Sequence, residues 1–416
     1  MAVSAIFLAI TSACDCGGTE ILGSTDAGNS EDASEGEPPC GYDVPTRCHA
    51  ALEYMADPCP QPVTLAFSAN LKRADVYFSL DSSLSMAGEI MNLRTSLRDV
   101  VVPGVRAEIP DVWFGIGRFE DCMECAHNMV MIEPVTNDIA RIEAALHAMS
   151  DLCGGNEPYT QNLYAIATGD VAPFAEWGGV EPASWTCTPP GAIGWPCFRT
   201  DAIPIIVQTG DESFIEALGS CSPAIDHAQT ISALNSISAK YIGVNSGESA
   251  LAGRDDMVII AEGTGSVAAS GNPLVFDIPR DGSGLGSQVV EAIAVLSRNV
   301  PVDITAVPRD DPSDDIDALT LIDHVEPDSD GGIALPEDHA RICPGGLPVT
   351  DADDDTILDT FSSVLGSAVC FDVHLRRNET IPALSSHQEF RFLIDVIADG
   401  VTVLDTREVV LCVPGY

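Results

Sequence analysis

From about Ala74 the chain alternates short apolar runs with amphipathic stretches. Asp75 to Leu80 (DVYFSL), Val112 to Phe119 (VWFGIGRF) and Ile203 to Gln208 (IPIIVQ) are rich in β-branched and aromatic residues and read as strands. Tyr241 to Val244 and Leu274 to Asp277 read as two more. Between them, Ile90, Leu93, Leu97 and Val100 recur at helical spacing, as do Ile139, Ile142, Leu146 and Met149 behind a capping Asn137 or Asp138. Leu163 to Thr168, Ile225 to Ile237 and Leu285 to Arg298 supply further helices. Strands alternating with helices predict an α/β domain over residues 74–299, with a doubly wound, mostly parallel sheet covered on both faces. Ligands of such sheets bind beyond the carboxyl ends of the strands.

The pattern differs on either side of that domain. Residues 15–39 are acidic, rich in Gly, Ser, Thr and Ala, and read as a disordered linker. Residues 40–73 form a segment punctuated by Cys40, Cys48 and Cys59. Residues 300–368 read as a loop-rich connector, with 16 acidic residues between Asp310 and Asp359 against a single Arg341. Strict alternation returns over 369–416, predicting a small β-rich C-terminal domain with a hairpin at Asp399-Gly400 and Cys370 and Cys412 placed to pin it.

Charge narrows the partners. The 416 residues carry 63 acidic and 19 basic side chains, a formal net charge of -44, with Lys72 and Lys240 the only lysines. Nucleic acid and anionic membrane surfaces, both read through Lys/Arg patches, are excluded as partners. The 14 cysteines point to an oxidising, extracytoplasmic compartment. Ala2 to Ile10 is a short apolar run, and Thr11-Ser12-Ala13-Cys14 after it resembles the lipobox of bacterial lipoproteins. Residues 1–14 are therefore expected to be a signal segment, with Cys14 as a lipidation site and the only membrane attachment. Thr11 stands where the lipobox has an aliphatic residue, and no Lys or Arg precedes the run, which leaves an upstream translation start open. If Cys14 and Cys16 belong to this region, twelve cysteines remain, enough for six pairs. The acidic flanks of Cys122-Met123-Glu124-Cys125 disfavour a reactive thiolate, so this CxxC reads as structural disulfides. The eight histidines are scattered and show no ligand-like spacing.

Candidate chemistry lies directly after the first strand, in Asp81-Ser82-Ser83-Leu84-Ser85. One carboxylate and two hydroxyls at this spacing can converge on a hard cation such as Mg²⁺. Two further loops follow in order: Gly154-Gly155-Asn156-Glu157-Pro158 before a helix, and Gln208-Thr209-Gly210-Asp211-Glu212 after a strand. This arrangement resembles the von Willebrand factor A (VWA) domain and its metal-ion-dependent adhesion site, over about residues 74–299. The resemblance implies a VWA/Rossmann-like fold and a site for Mg²⁺ (or Mn²⁺/Ca²⁺) held by Asp81, Ser83 and Ser85, with Asp211 as last ligand. The middle ligand falls to Asn156, Glu157 or Thr160, with Thr160, at the start of the following helix, slightly favoured. Gly210 departs from the family, in which Thr and Asp adjoin.

A second candidate is Asp351-Ala352-Asp353-Asp354-Asp355, whose Asp351, Asp353, Asp355 and Asp359 resemble the calcium loops of EF-hand-like repeats and imply Ca²⁺. Thr356 stands where that pattern has Gly, and Ser362 where an EF-hand has Glu.

The leading expectation is an extracytoplasmic, lipid-anchored binding or adhesion protein of the cell envelope or surface. Its cation would take an acidic group from a protein or surface ligand presenting a carboxylate. The alternatives are a passive envelope protein with a degenerate metal site and a metal-dependent hydrolase. The chain has no G-x-S-x-G, H-E-x-x-H or P-loop, so no enzyme activity is expected.

Overall fold

The computed structural model describes residues 47–416 apart from 123, 150–151, 183–185, 188–189, 215–220, 248–251, 312–315, 335–341 and 367. The leader-like segment with Cys14, the linker 15–39 and Cys40 lie outside the described residues. Two strands come first, β1 (Ala50–Ala51) and β2 (Val63–Ser68). They are followed by β3 (Arg73–Asp81), β4 (Asp111–Phe119), β5 (Met129–Thr136), β6 (Val180–Glu181), β7 (Ile203–Gly210), β8 (Lys240–Asn245) and β9 (Val275–Asp277). Strands β3 to β9 form one sheet in the order β6-β5-β4-β3-β7-β8-β9, parallel throughout except between β4 and β5.

Its helices are α1 (Ala87–Ser96), α2 (Val102–Glu108), α3 (Ile139–Ala148), α4 (Tyr159–Thr168), α5 (His227–Ser236), α6 (Ala252–Gly263) and α7 (Leu285–Asn299). The single helix expected at 90–100 runs on: a wide turn over Leu97–Val101 joins α1 to α2, whose Pro103 needs no amide partner in the first turn. Asp138 caps α3, and Asp226 and Gln229 form a reciprocal cap on α5.

Strand β3 shows why the sheet is buried on both sides yet carries chemistry. Ala74, Val76, Phe78 and Leu80 point into the core built with α1, α2 and α7. The alternate residues Asp75, Tyr77, Ser79 and Asp81 point to the opposite layer, where Ser79 Oγ donates to Asn162 Oδ1 of α4 at 2.6 Å. Leaving aside the two-residue β6, the sheet follows the doubly wound 3-2-1-4-5-6 order, whose switch point falls between β3 and β7. Asp81 ends β3, and Asp211 follows β7 directly.

The rest of the chain is a β-sandwich. Its strands are β10 (Val302–Asp310), β11 (Ile322–Pro327), β12 (Gly332–Ile333), β13 (Ile342–Cys343), β14 (Val349–Thr350), β15 (Thr360–Val364), β16 (Ala368–Leu375), β17 (Gln388–Ala398) and β18 (Thr402–Val413). One sheet runs β1-β18-β17-β10-β15-β14, and the other runs β11-β16-β2. Phe67, Phe361, Phe371 and Phe392 fill the space between them, with Phe361 and Phe371 edge to face at 5.2 Å. Segments expected as an N-terminal Cys region, an acidic connector and a C-terminal domain thus contribute strands to the same two sheets. Both lysines fasten the α/β body to the β17–β18 hairpin: Lys72 pairs with Asp405 at 2.8 Å and Lys240 with Asp399 at 2.9 Å.

The cysteines pair differently from the expected pin. Cys370 and Cys412 lie in different sheets; Cys370 bonds Cys343, and Cys412 bonds Cys48. Cys122–Cys221, Cys125–Cys153 and Cys187–Cys197 are also joined, and Cys59 is disulfide-bonded. Such a framework belongs to an oxidising environment. Among the described residues, no helix is long and apolar enough to cross a membrane.

Candidate metal centre

The first loop brings its predicted hydroxyls together beside a buried carboxylate. Asp81 is fully buried, and its Oδ1 accepts the Ser83 amide at 2.8 Å. The hydroxyls of Ser83 and Ser85 lie 3.0 Å apart, while the intervening Ser82 turns away to Phe119 O and Glu120 Oε1, both at 3.1 Å. The D-x-S-x-S spacing therefore puts its hydroxyls together and sends the spacer Ser82 elsewhere.

Three other elements bring acid to the same place. Glu157, just before α4, is buried, and its carboxyl is pushed up to about 8 by burial and then by the nearby charges of Asp81 and Asp211. Asp81 is pushed up to about 7 by burial, against the bonds from Tyr159 and Ser83. Glu89, in the first turn of α1, is raised by burial, with Asp211 and Asp281 adding to the effect. Among the described residues, no Lys or Arg forms an ion pair with Asp81, Glu89, Glu157 or Asp211.

Several buried acceptors here lack a partner. Asp211 Oδ1 and the Thr209 hydroxyl are buried without a hydrogen bond; the Glu89 carboxylate has the Ser246 hydroxyl as a weak donor, and that hydroxyl also lies 3.5 Å from the Met86 sulfur. An unpaired buried carboxylate costs several kcal/mol, on the order of the whole stability of a small domain. A divalent cation removes that cost, and a donor set of carboxylates and hydroxyls without sulfur suits a hard one.

The remaining predicted residues divide. Asp211 lies within electrostatic reach of Asp81 and Glu157. Thr160 is buried, but its hydroxyl donates to Gln161 Oε1 at 3.0 Å. Asn156 turns its amide to Asp121 Oδ2 at 3.0 Å. Of the three candidates for the middle position, Glu157 is the one that carries a carboxylate, and the charge of Asp81 acts on it.

Tyr159 escaped the sequence reading. Its hydroxyl donates to Asp81 Oδ2 at 2.5 Å, and its ring stacks on Phe214 at 4.6 Å. It also accounts for Gly210, because a Cβ there would lie 2.3 Å from the Tyr159 ring. The departure from adjacent Thr and Asp thus makes room for an aromatic side chain under the site. Thr209 and Glu89 were missed as well. Nothing local distinguishes Glu89 from any acidic residue in a helix's first turn.

The CxxC builds the rim. Cys125 bonds Cys153 in the loop leading to Glu157, and Cys122 bonds Cys221 in the stretch after Asp211. Cys153 N–H also donates to Ser82 O at 3.3 Å. Two bridges from one loop thus hold the two loops that carry the other acidic residues.

The acidic loop at 351–359 connects the paired strands β14 and β15. Asp351, Asp353 and Asp359 each bring one oxygen within 4.8 Å of the others. Asp355 is outside that trio, and its Oδ1 accepts the Ile357 amide at 2.8 Å. Thr356 holds φ 83° where the EF-hand pattern has glycine, and its amide donates to Asp351 Oδ2 at 2.8 Å. The carboxylates of this exposed loop are occupied by its own amides.

No family model matches the chain, and no curated protein matches it either. Among solved structures, it is similar to a von Willebrand factor type A protein from Catenulispora acidiphila. That likeness covers 88% of this chain and 72% of the other, at 12% identity and a TM-score of 0.38. It is loose, and the fold rests on the sheet order above. The central domain has a doubly wound α/β fold.

Proposed function

We propose that the chain is an extracytoplasmic binding protein whose VWA-like domain holds a divalent cation at Asp81, Ser83, Ser85 and Asp211 and presents it to a carboxylate of a partner. The carrying observation is the set of buried, uncompensated acceptors at the switch point, where no basic side chain pairs with Asp81, Glu157 or Asp211 among the described residues. Mg²⁺ is the reference ion, with Mn²⁺ and Ca²⁺ as competitors, and Glu157 joins Thr160 as a candidate for the middle position. When bound, the cation supplies a positive centre that bridges carboxylates which otherwise repel. This suits a chain of net charge -44 that takes an acidic ligand. The role is adhesion, without catalytic turnover. Lipid attachment through Cys14 would hold the protein at the cell envelope or surface.

Calorimetric titration of Mg²⁺ into metal-free protein tests the site. One binding event should be present, vanish in Asp81→Ala and weaken in Ser83→Ala and Ser85→Ala. Mg²⁺ binding that survives Asp81→Ala unchanged removes the site. Retention on a polyglutamate-coated surface should then require the cation and be reversed by chelation. Cation binding without retention leaves the passive envelope role.

A further inference from the structure

The outer face of the three-stranded sheet carries a second, chemically different set of ligands. His324 in β11 and His374 in β16 are direct cross-strand partners, although fifty positions separate them in sequence. Their rings lie parallel, 9° apart in tilt, with centroids 4.3 Å apart. Glu326 lies two residues beyond His324, on the same face, and its Oε1 is 2.8 Å from His374 Nε2. One ligand atom from each of the three lies within 4.8 Å of the other two.

We infer that His324, Glu326 and His374 form a binding site for a first-row transition-metal ion, with Zn²⁺ as the reference ion. Two imidazoles and one carboxylate are the donor set of three-ligand zinc sites, which leave a fourth position to water. Bonds of about 2.0–2.2 Å place tetrahedral donors about 3.3 Å apart, a contraction that modest side-chain rotation supplies. The side chains are 25%, 36% and 23% exposed for His324, Glu326 and His374, so an ion can enter and keep a water.

A supporting shell is in place. His324 Nδ1 lies 3.1 Å from Asp323 Oδ2, and Arg376 Nε donates to Asp323 Oδ1 at 3.3 Å. With Nδ1–H held by that carboxylate, Nε2 is the free donor of His324, the arrangement in which histidines present themselves to metals. Asp372, directly opposite Glu326 in register, adds negative charge to the same face. Nitrogen donors separate this site from the carboxylate and hydroxyl site of the α/β domain, which suits harder ions. Because β11 is an edge strand of its sheet, the ion would clip that edge to β16.

The test is a Zn²⁺ titration by calorimetry in an Asp81→Ala background, which silences the other site, on protein without an affinity tag. One binding event is expected. His324→Ala and His374→Ala should each weaken it by about 100-fold or more, and Asp323→Asn by about tenfold. His387→Ala, at a histidine just before β17, should leave it unchanged. Co²⁺ substitution should give a visible d–d spectrum that Glu326→Gln alters, a readout that keeps both histidines and the fold. The inference is overturned if affinity in the two histidine variants stays within twofold of the parent, or if Co²⁺ gives the same spectrum with and without Glu326.

Discussion

Asp75 and Asp81 lie on the same face of the same strand, and both are fully buried, yet the chain treats them in opposite ways. Asp75 is given a cation. The Arg199 amide donates to its Oδ2 at 2.6 Å and Arg199 Nε to its Oδ1 at 2.8 Å. Arg199 is itself held by Asp111 Oδ1 at 2.9 Å and lies 4.6 Å over the Trp113 ring. Asp81 receives only neutral donors, the Tyr159 hydroxyl and the Ser83 amide, and its charged neighbours are Glu157 and Asp211. A chain able to supply an arginine to one end of a strand has left the other end without a basic partner among the described residues, the gap that the proposed cation would fill. The difference lies in place: the β3 and β7 carboxyl ends lead into the loops of the candidate site, and the Asp75 end is closed by the sandwich, whose Thr402 donates to Asp201 O at 2.9 Å.

The comparison can be broken most forcefully at Arg199. Arg199→Met should strand the Asp75 charge and lower unfolding stability by about 3–5 kcal/mol, read in urea melts. A small loss would mean that the arginine is not what makes Asp75 tolerable. A pH series is the next lever. Burial raises Asp75 to about 6 despite Arg199, above its unfolded value near 3.8, so the folded state binds the proton more tightly. Its contribution to stability is full below about pH 4, falls as pH rises towards 6 and is flat above, a change of up to about 3 kcal/mol. The stability of the parent minus that of Asp75→Asn, measured from pH 4 to 7, should follow that curve. A difference that rises over the same window would reverse the sign claimed for burial.

At the other end of the strand, Mg²⁺ at a hundredfold excess over its dissociation constant should stabilise the parent by about 2.7 kcal/mol. Asp81→Asn should abolish that gain without costing the metal-free protein stability, since it also removes repulsion with Glu157. If Asp81→Asn melts lower than the parent in chelator, the uncompensated carboxylate is not a burden and the contrast fails. The smallest effect belongs to Gly210→Ala, whose new methyl must displace the Tyr159 ring. A loss of about 1 kcal/mol is expected, the low end of over-packing, with weaker Mg²⁺ binding because Tyr159 positions Asp81.

What the sequence made legible follows from what is local. The strands and helices of 73–299 repeat their apolar residues within one element, and Asp81, Ser83 and Ser85 fall within a single loop. What escaped depends on distant pairing. β2 joins β16 across three hundred residues, so the N-terminal segment could not be seen as sandwich. The acidic stretch hid strands because its charged residues break the apolar alternation, as in Ile322-Asp323-His324-Val325-Glu326. The same distance concealed the facing histidines, the disulfide partners and the arginine that answers Asp75.

The Cys48–Cys412 bridge closes a covalent ring of sequence separation 364 around both domains. Tension applied to the segment before Cys48 and taken up just beyond Cys412 would pass through one sulfur–sulfur bond and skip everything folded between. A pull between that segment and Asp81 would instead run along the backbone through β1, β2 and β3, with β18 tied in at Cys48 by the same bridge. The loops of the candidate site carry two bridges of their own, Cys122–Cys221 and Cys125–Cys153, so a load applied at Asp81 is shared among them covalently.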